Sequence, residues 1–291
     1  MQYLNPILNF CLKVVASTLY QLVAIFGFIF IFGLLLYLIS RSTRKAFANS
    51  NLGKLDIYVT GWIGTPVHET GHAIFCIIFG HRIIEIKLFA PSRLDGTLGY
   101  VSHSYNPDSF YQRVGNFFIG TGPIFFGSFL LYVLIYFCLP NYHEVSNLIS
   151  TNEFNGAGIF EFMKSAGDIF TFGIKLTGSV FAINNLSVLS FWLFVYLSFC
   201  ISSHMQLSLS DLRSMWSGFV SILILFFSGN FLAQLFGFDL TAYIFHFSRF
   251  LSTVIGILIL AILISFINLI ATYVVLALVY YKKHRRLLPI L

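Results

Sequence analysis

Charge is scarce in this sequence. Asp, Glu, Lys and Arg make up 10% of its 291 residues, whereas a water-soluble domain carries about 25%. That shortage excludes a chain surrounded by water on all sides, because too little polar surface is available to coat a globule of 33.0 kDa. Cysteine is sparse as well: Cys11, Cys76, Cys138 and Cys200 lie in or beside apolar stretches without CxxC spacing. A disulfide framework and a thiolate metal site are therefore not expected, and packing accounts for all four. The net charge of +6 is scattered, and its densest cluster is Lys282, Lys283, Arg285 and Arg286. Such a cluster suits an anchor beside an anionic leaflet, and nucleic acid is not expected as a partner. Internal repeats and low-complexity linkers are also missing, so a single domain over residues 1–291 is the simplest division.

Apolar residues are abundant: 57% of the chain is hydrophobic and 18% aromatic, with 35 Phe. The lipid bilayer is thus part of the expected fold, an all-α polytopic membrane protein. Runs long enough to cross about 30 Å of hydrocarbon fall near 15–40, 55–80, 114–139, 186–203, 214–236 and 250–281, which predicts six spans. The stretch from Val14 to Ser40 is uncharged and too long for a signal h-region of about 7–15 residues, so it reads as a retained anchor. Residues 55–235 form the expected catalytic core, and 250–291 a last helix with a basic tail. With both termini inside, ten Lys and Arg fall on inner flanks and seven on outer ones, which favours cytoplasmic termini in a multi-pass protein of the cell membrane.

Two segments between spans have their own pattern. Arg82 to Phe89 and Thr97 to His103 read as β-strands around Pro91 to Gly96, whose Asp95-Gly96 pair tolerates a tight turn. A β-hairpin is expected there. From Ile159 to Leu176, Glu161, Lys164, Asp168 and Lys175 recur opposite Phe162, Met163, Phe170 and Ile174. That periodicity predicts an amphipathic helix on the membrane interface.

The chemistry concentrates at His68-Glu69-Thr70-Gly71-His72, inside an apolar run. On a helix, positions i and i+4 share a face, so His68 and His72 present two imidazoles to one ion, with Glu69 one residue round as general base for a bound water. Zn2+ is the expected cofactor, and ionisable groups so deep in hydrocarbon are costly unless functional. Packed histidines with a hydrogen-bonded glutamate are the bland alternative. Thr65 and Pro66 read as an N-cap and a first-turn proline that break the span just before the site, or else as a simple proline kink. A zinc hydrolase needs a third protein ligand. Asp211, at the head of the run near 214–236, is preferred for it. His204 is its rival, or a group that supports the ligands or the substrate. Ser208 and Ser210 make helix capping the competing role for Asp211. His81 and His103 bracket the hairpin and could lie near the metal, although loop histidines are usually solvated.

These features together resemble the site-2 protease family of intramembrane zinc metalloproteases. The resemblance spans roughly residues 55–235: the HExxH segment at His68 to His72, the hairpin after it, Gly120-Thr121-Gly122-Pro123, and an Asp at the start of a later span. It implies that His68, His72 and Asp211 hold zinc and that Glu69 is the base. It also implies a membrane-anchored protein substrate, received by the hairpin as an added strand. The sequence departs from the family pattern at Ser210-Asp211-Leu212, where Leu-Asp-Gly is usual, and in lacking an Asn soon after Gly122-Pro123. A metal-retaining but inactive relative that binds helices, and a transporter with polar intramembrane residues, are the competing functions. The oligomeric state is not legible.

Overall fold

The computed structural model describes residues 4–91, 97–151, 159–241 and 248–289. Its helices are α1 (Leu4–Asn49), α2 (Gly53–Asp56), α3 (Trp62–Ile78), α4 (Phe110–Cys138), α5 (Tyr142–Thr151), α6 (Ile159–Val180), α7 (Ile183–Leu186), α8 (Leu189–His204), α9 (Leu209–Leu235) and α10 (Ser248–His284). A π-helical turn, Ile57–Gly61, joins α2 to α3, and two antiparallel strands, β1 (Arg82–Lys87) and β2 (Tyr100–Ser104), follow α3. Among the described residues the fold is helical apart from this one small sheet, and it is of the membrane type that the composition implies.

Among the described residues, four helices are long and apolar enough to cross a membrane: Pro6–Asn49 of α1, α4, α9 and Thr253–His284 of α10. The sequence had six apolar runs. Those near 55–80 and 186–203 become α3, which has 17 residues and is continuous with α2 through the π turn, and α8, which has 16. Taken alone, each is shorter than the roughly 20 residues that span a 30 Å hydrocarbon core. The long helices bury one face and leave Leu19, Leu34, Ile224 and Val275 exposed on the other. Apolar faces of that length need a non-aqueous surrounding.

Helix α4 lies at the centre and packs most extensively against α9 and α3. Its Phe117, Ile124, Leu131 and Ile135 are fully buried, and the Phe117 ring meets Phe26 of α1 edge-on at 4.9 Å. On α9, a Cβ at Gly218 would collide with the Phe117 amide nitrogen, so the two backbones touch there. Polar ties add register. Gln21 of α1 and Asn230 of α9 exchange two hydrogen bonds, at 3.0 and 2.7 Å, and Asn230 also donates to Thr18. Asn268 of α10 donates to Ser203, whose carbonyl accepts from Ser40.

The expected break at Thr65-Pro66 is not where the irregularity falls. Helix α3 starts at Trp62 and carries Pro66 inside it, and the distortion is the π turn upstream. Pro66 leaves the Trp62 carbonyl without its usual donor four residues on, yet the helix continues through it. The hairpin is present, with Ile83 opposite His103, Ile86 opposite Val101 and a bulge at Ile84. Its expected Asp95-Gly96 turn lies outside the described residues. The helix expected over 159–176 runs to Val180, burying Phe172, Leu176 and Val180 while Ile174 and Lys175 are exposed. Two further short helices, α5 and α7, are additions to the sequence reading. All four cysteines are free.

Candidate metal centre

His68 and His72 lie one turn apart on α3, as their spacing requires, and Asp211 of α9 meets them. The Nε2 atoms of the two imidazoles are 3.1 Å apart. Asp211 places Oδ2 3.6 Å from Nε2 of His68 and Oδ1 3.3 Å from Nε2 of His72. One ligand atom from each residue falls within 4.8 Å of the others, a group that could hold a metal ion.

Irregularities in three helices hold these side chains. Nδ1 of His72 donates to the Ile119 carbonyl at 2.7 Å. In α4 that carbonyl would normally accept the amide of residue 123, which is Pro123 and has no N–H. Proline thus releases an acceptor, and the histidine takes it. The backbones come close enough because of two glycines: a Cβ at Gly71 would sit 2.8 Å from the Gly122 carbonyl carbon. Nδ1 of His68 donates to the His204 carbonyl at 2.6 Å. His204 ends α8, where the last carbonyls lack helical partners. Asp211 is fixed by the start of α9. Ser208 is the N-cap, accepting from the Asp211 amide at 3.2 Å, while the Ser208 amide donates to Asp211 Oδ2 at 2.7 Å. The capping and ligand roles of Asp211 are therefore compatible.

With both Nδ1 protons given to carbonyls, each neutral imidazole keeps its lone pair on Nε2. Two lone pairs and a carboxylate converging at this range repel one another unless a cation or a shared proton lies among them. A tetrahedral ion bound at about 2.0–2.1 Å needs donor-to-donor edges of roughly 3.3–3.4 Å. The 3.1 Å between the imidazoles and the 3.3 Å from His72 to Oδ1 of Asp211 lie close to that value, while His68 is nearest the other carboxylate oxygen, at 3.6 Å. The donor set fits such an ion.

Glu69, 7% exposed, stands beside the group. It lines two chambers. The first, of about 280 Å³, contains His68, His72 and Asp211 and is walled by β2 through Tyr100, Val101 and His103. The second, of about 480 Å³, lies toward Arg44, Asp56, Thr65 and Gln206. Thr97, Gly99 and Ser208 line both. A Cβ at Gly99 would stand 2.8 Å from Cγ of Glu69, so only glycine lets the strand's lead-in lie across the glutamate.

The His204 ring is not among the ligand atoms that converge: its Nδ1 donates to the Cys200 carbonyl at 3.0 Å, a Cβ at Gly64 would meet that ring, and it lines the second chamber with His68 and Glu69. Its contribution to the group is the main-chain oxygen. His81 and His103 meet each other, and His103 lines the first chamber. The two orienting carbonyls were absent from the sequence reading of the ligands, whereas Ser208 is one of the two caps it named. The signals available were Pro123 inside an apolar run and the serines just ahead of Asp211. Comparison with protein-family models gave no match, and neither the curated proteins nor the solved structures gave one.

Proposed function

We propose that the chain is an intramembrane zinc endopeptidase that hydrolyses peptide bonds of membrane-anchored protein substrates, as the site-2 protease resemblance implies. The observation that carries this reading is the convergence of the His68, His72 and Asp211 donors beside Glu69, in a chamber walled by a β-strand. On this reading α3 and α8 are two further crossings, six in all, in the cell membrane, and both termini face the cytoplasm. Two imidazoles and one carboxylate suit zinc among the divalent ions, and three protein ligands leave a position for water or substrate.

Bound there, zinc supplies a water acidified toward pKa 7 and a Lewis acid for the scissile carbonyl. Glu69 takes the proton from the attacking water and returns it to the leaving amine nitrogen, so that one carboxylate serves first as base and then as acid. Carbonyl oxygens of Ile119 and His204 keep both imidazoles in the tautomer that binds through Nε2. The edge of β2 away from β1 has no strand partner among the described residues, and an unwound substrate segment fits there by main-chain hydrogen bonds.

Metal analysis of the purified protein tests the ligand set, and cleavage of a membrane-anchored reporter tests the base. The expected result is about one zinc per chain, lost in H68A, H72A and D211A and kept in E69Q. Cleavage in E69Q should fall by at least about a hundredfold, the lower range for a general base. Zinc retained by D211A would remove Asp211 from the ligand set. Reporter cleavage by E69Q at the wild-type rate would falsify the mechanism.

A further inference from the structure

A second pair of imidazoles reaches the first chamber from the hairpin side. Gly80, at φ +68°, ends α3: its amide bonds to Ile77 and the His81 amide to Cys76, the two bonds of a Schellman turn. That turn sets His81, 6% exposed, between α4 and β2. Nε2 of His81 lies 2.8 Å from the Gln112 carbonyl. A carbonyl only accepts, so the His81 proton is on Nε2 and its Nδ1 is an acceptor. Nδ1 of His103 stands 3.0 Å from that atom and must be the donor. His103 is left with its lone pair on Nε2, for which no protein partner occurs among the described residues. Tyr105 stacks on the His81 ring at 5.1 Å and 18°. Burial lowers the pKa of His81, and burial followed by the neighbouring His81 lowers that of His103, so both rings are neutral at pH 7.

His103 shares the chamber with Glu69 and the three ligands. A peptide whose carbonyl is turned to those groups brings main-chain N–H donors with it, and a buried N–H without an acceptor is costly. We propose that Nε2 of His103 accepts a hydrogen bond from a main-chain N–H of the peptide in this chamber, and that His81 is the positioning residue that fixes the His103 tautomer. This inference rests on the peptidase reading.

The test uses zinc-loaded, full-length protein in detergent and an apolar tripeptide hydroxamate, alone and N-methylated at each amide in turn. One methylated probe is expected to bind the wild type about tenfold more weakly, the worth of one hydrogen bond. H103F should bind the parent probe about tenfold more weakly and be indifferent to that methyl group, whereas H103Q, which keeps an acceptor, should stay near wild type. Zinc content should be equal in all three. Equal affinity of the wild type for every methylated probe, or wild-type affinity in H103F, overturns this inference alone. Zinc-loaded wild type that fails to bind the parent hydroxamate overturns the peptidase reading and this inference with it.

Discussion

Pro123 removes one hydrogen bond from α4, and His72 uses the carbonyl so released. Alanine at that position restores an amide that competes for the Ile119 oxygen, and the imidazole loses its fixed tautomer. P123A is expected to weaken zinc binding by about 10–100-fold, the usual cost of losing a ligand's supporting hydrogen bond. Competition with a chromophoric chelator measures it, and unchanged affinity would sink the idea. At this scale the sequence was informative about side chains and silent about main-chain oxygens. The spacing of His68, Glu69 and His72 was enough to place them on one helix face, and the serines ahead of Asp211 were enough to suggest a cap. That Ile119 and His204 lend their carbonyls depends on which helices touch. His204 was accordingly read as a rival to Asp211 or as a group supporting the ligands or substrate, and it supports His68 through its carbonyl while its ring lies against Cys200 and Gly64.

Among the elements, the hairpin is the one whose strength should vary with pH. His81 and His103 both have pKa values lowered by burial, below the ordinary value of about 6.5. The unlocked strands bind protons more readily than the paired ones, so this contribution is complete above about pH 6.5 and declines as the pH falls below it. Hydrogen exchange at the Ile83 and His103 amides, corrected for intrinsic rates, should show weaker protection at pH 5.5 than at pH 7.5. Replacing His81 with Phe should flatten the difference, and a pH-independent wild type would contradict the assignment. The hairpin was legible because its strands alternate around turn residues. The bulge at Ile84 was not, since it answers to the partner strand. Helix α3 was legible as a helix, but the effect of Pro66 was misplaced: the helix runs through the proline and its irregularity is the π turn before it.

For the whole molecule, hydropathy summed over long windows found the four long helices, since no tertiary detail is needed to require a bilayer around α1, α4, α9 and α10. Which helices adjoin each other was not legible. The Gln21–Asn230 tie joins residues 209 apart in sequence, and nothing local marks it. Its energetic weight can be measured by a double-mutant cycle of Q21L and N230L in detergent unfolding. A coupling of about 0.6–1.7 kcal/mol is expected, the range found for side-chain hydrogen bonds between membrane helices. A coupling near zero would mean that the helices hold their register by apolar packing alone.

The ligand group draws on α3 for two donors and on α9 for the third, with α4 and α8 supplying the carbonyls between them. A ribosome therefore delivers the histidines well before the aspartate, and a chain still emerging has an incomplete clasp. On the proposed reading, the nascent protein cannot attack its neighbours in the translocon. On that same reading, competence arrives only once α9 has joined the bundle, and late assembly is a built-in delay on the proposed activity.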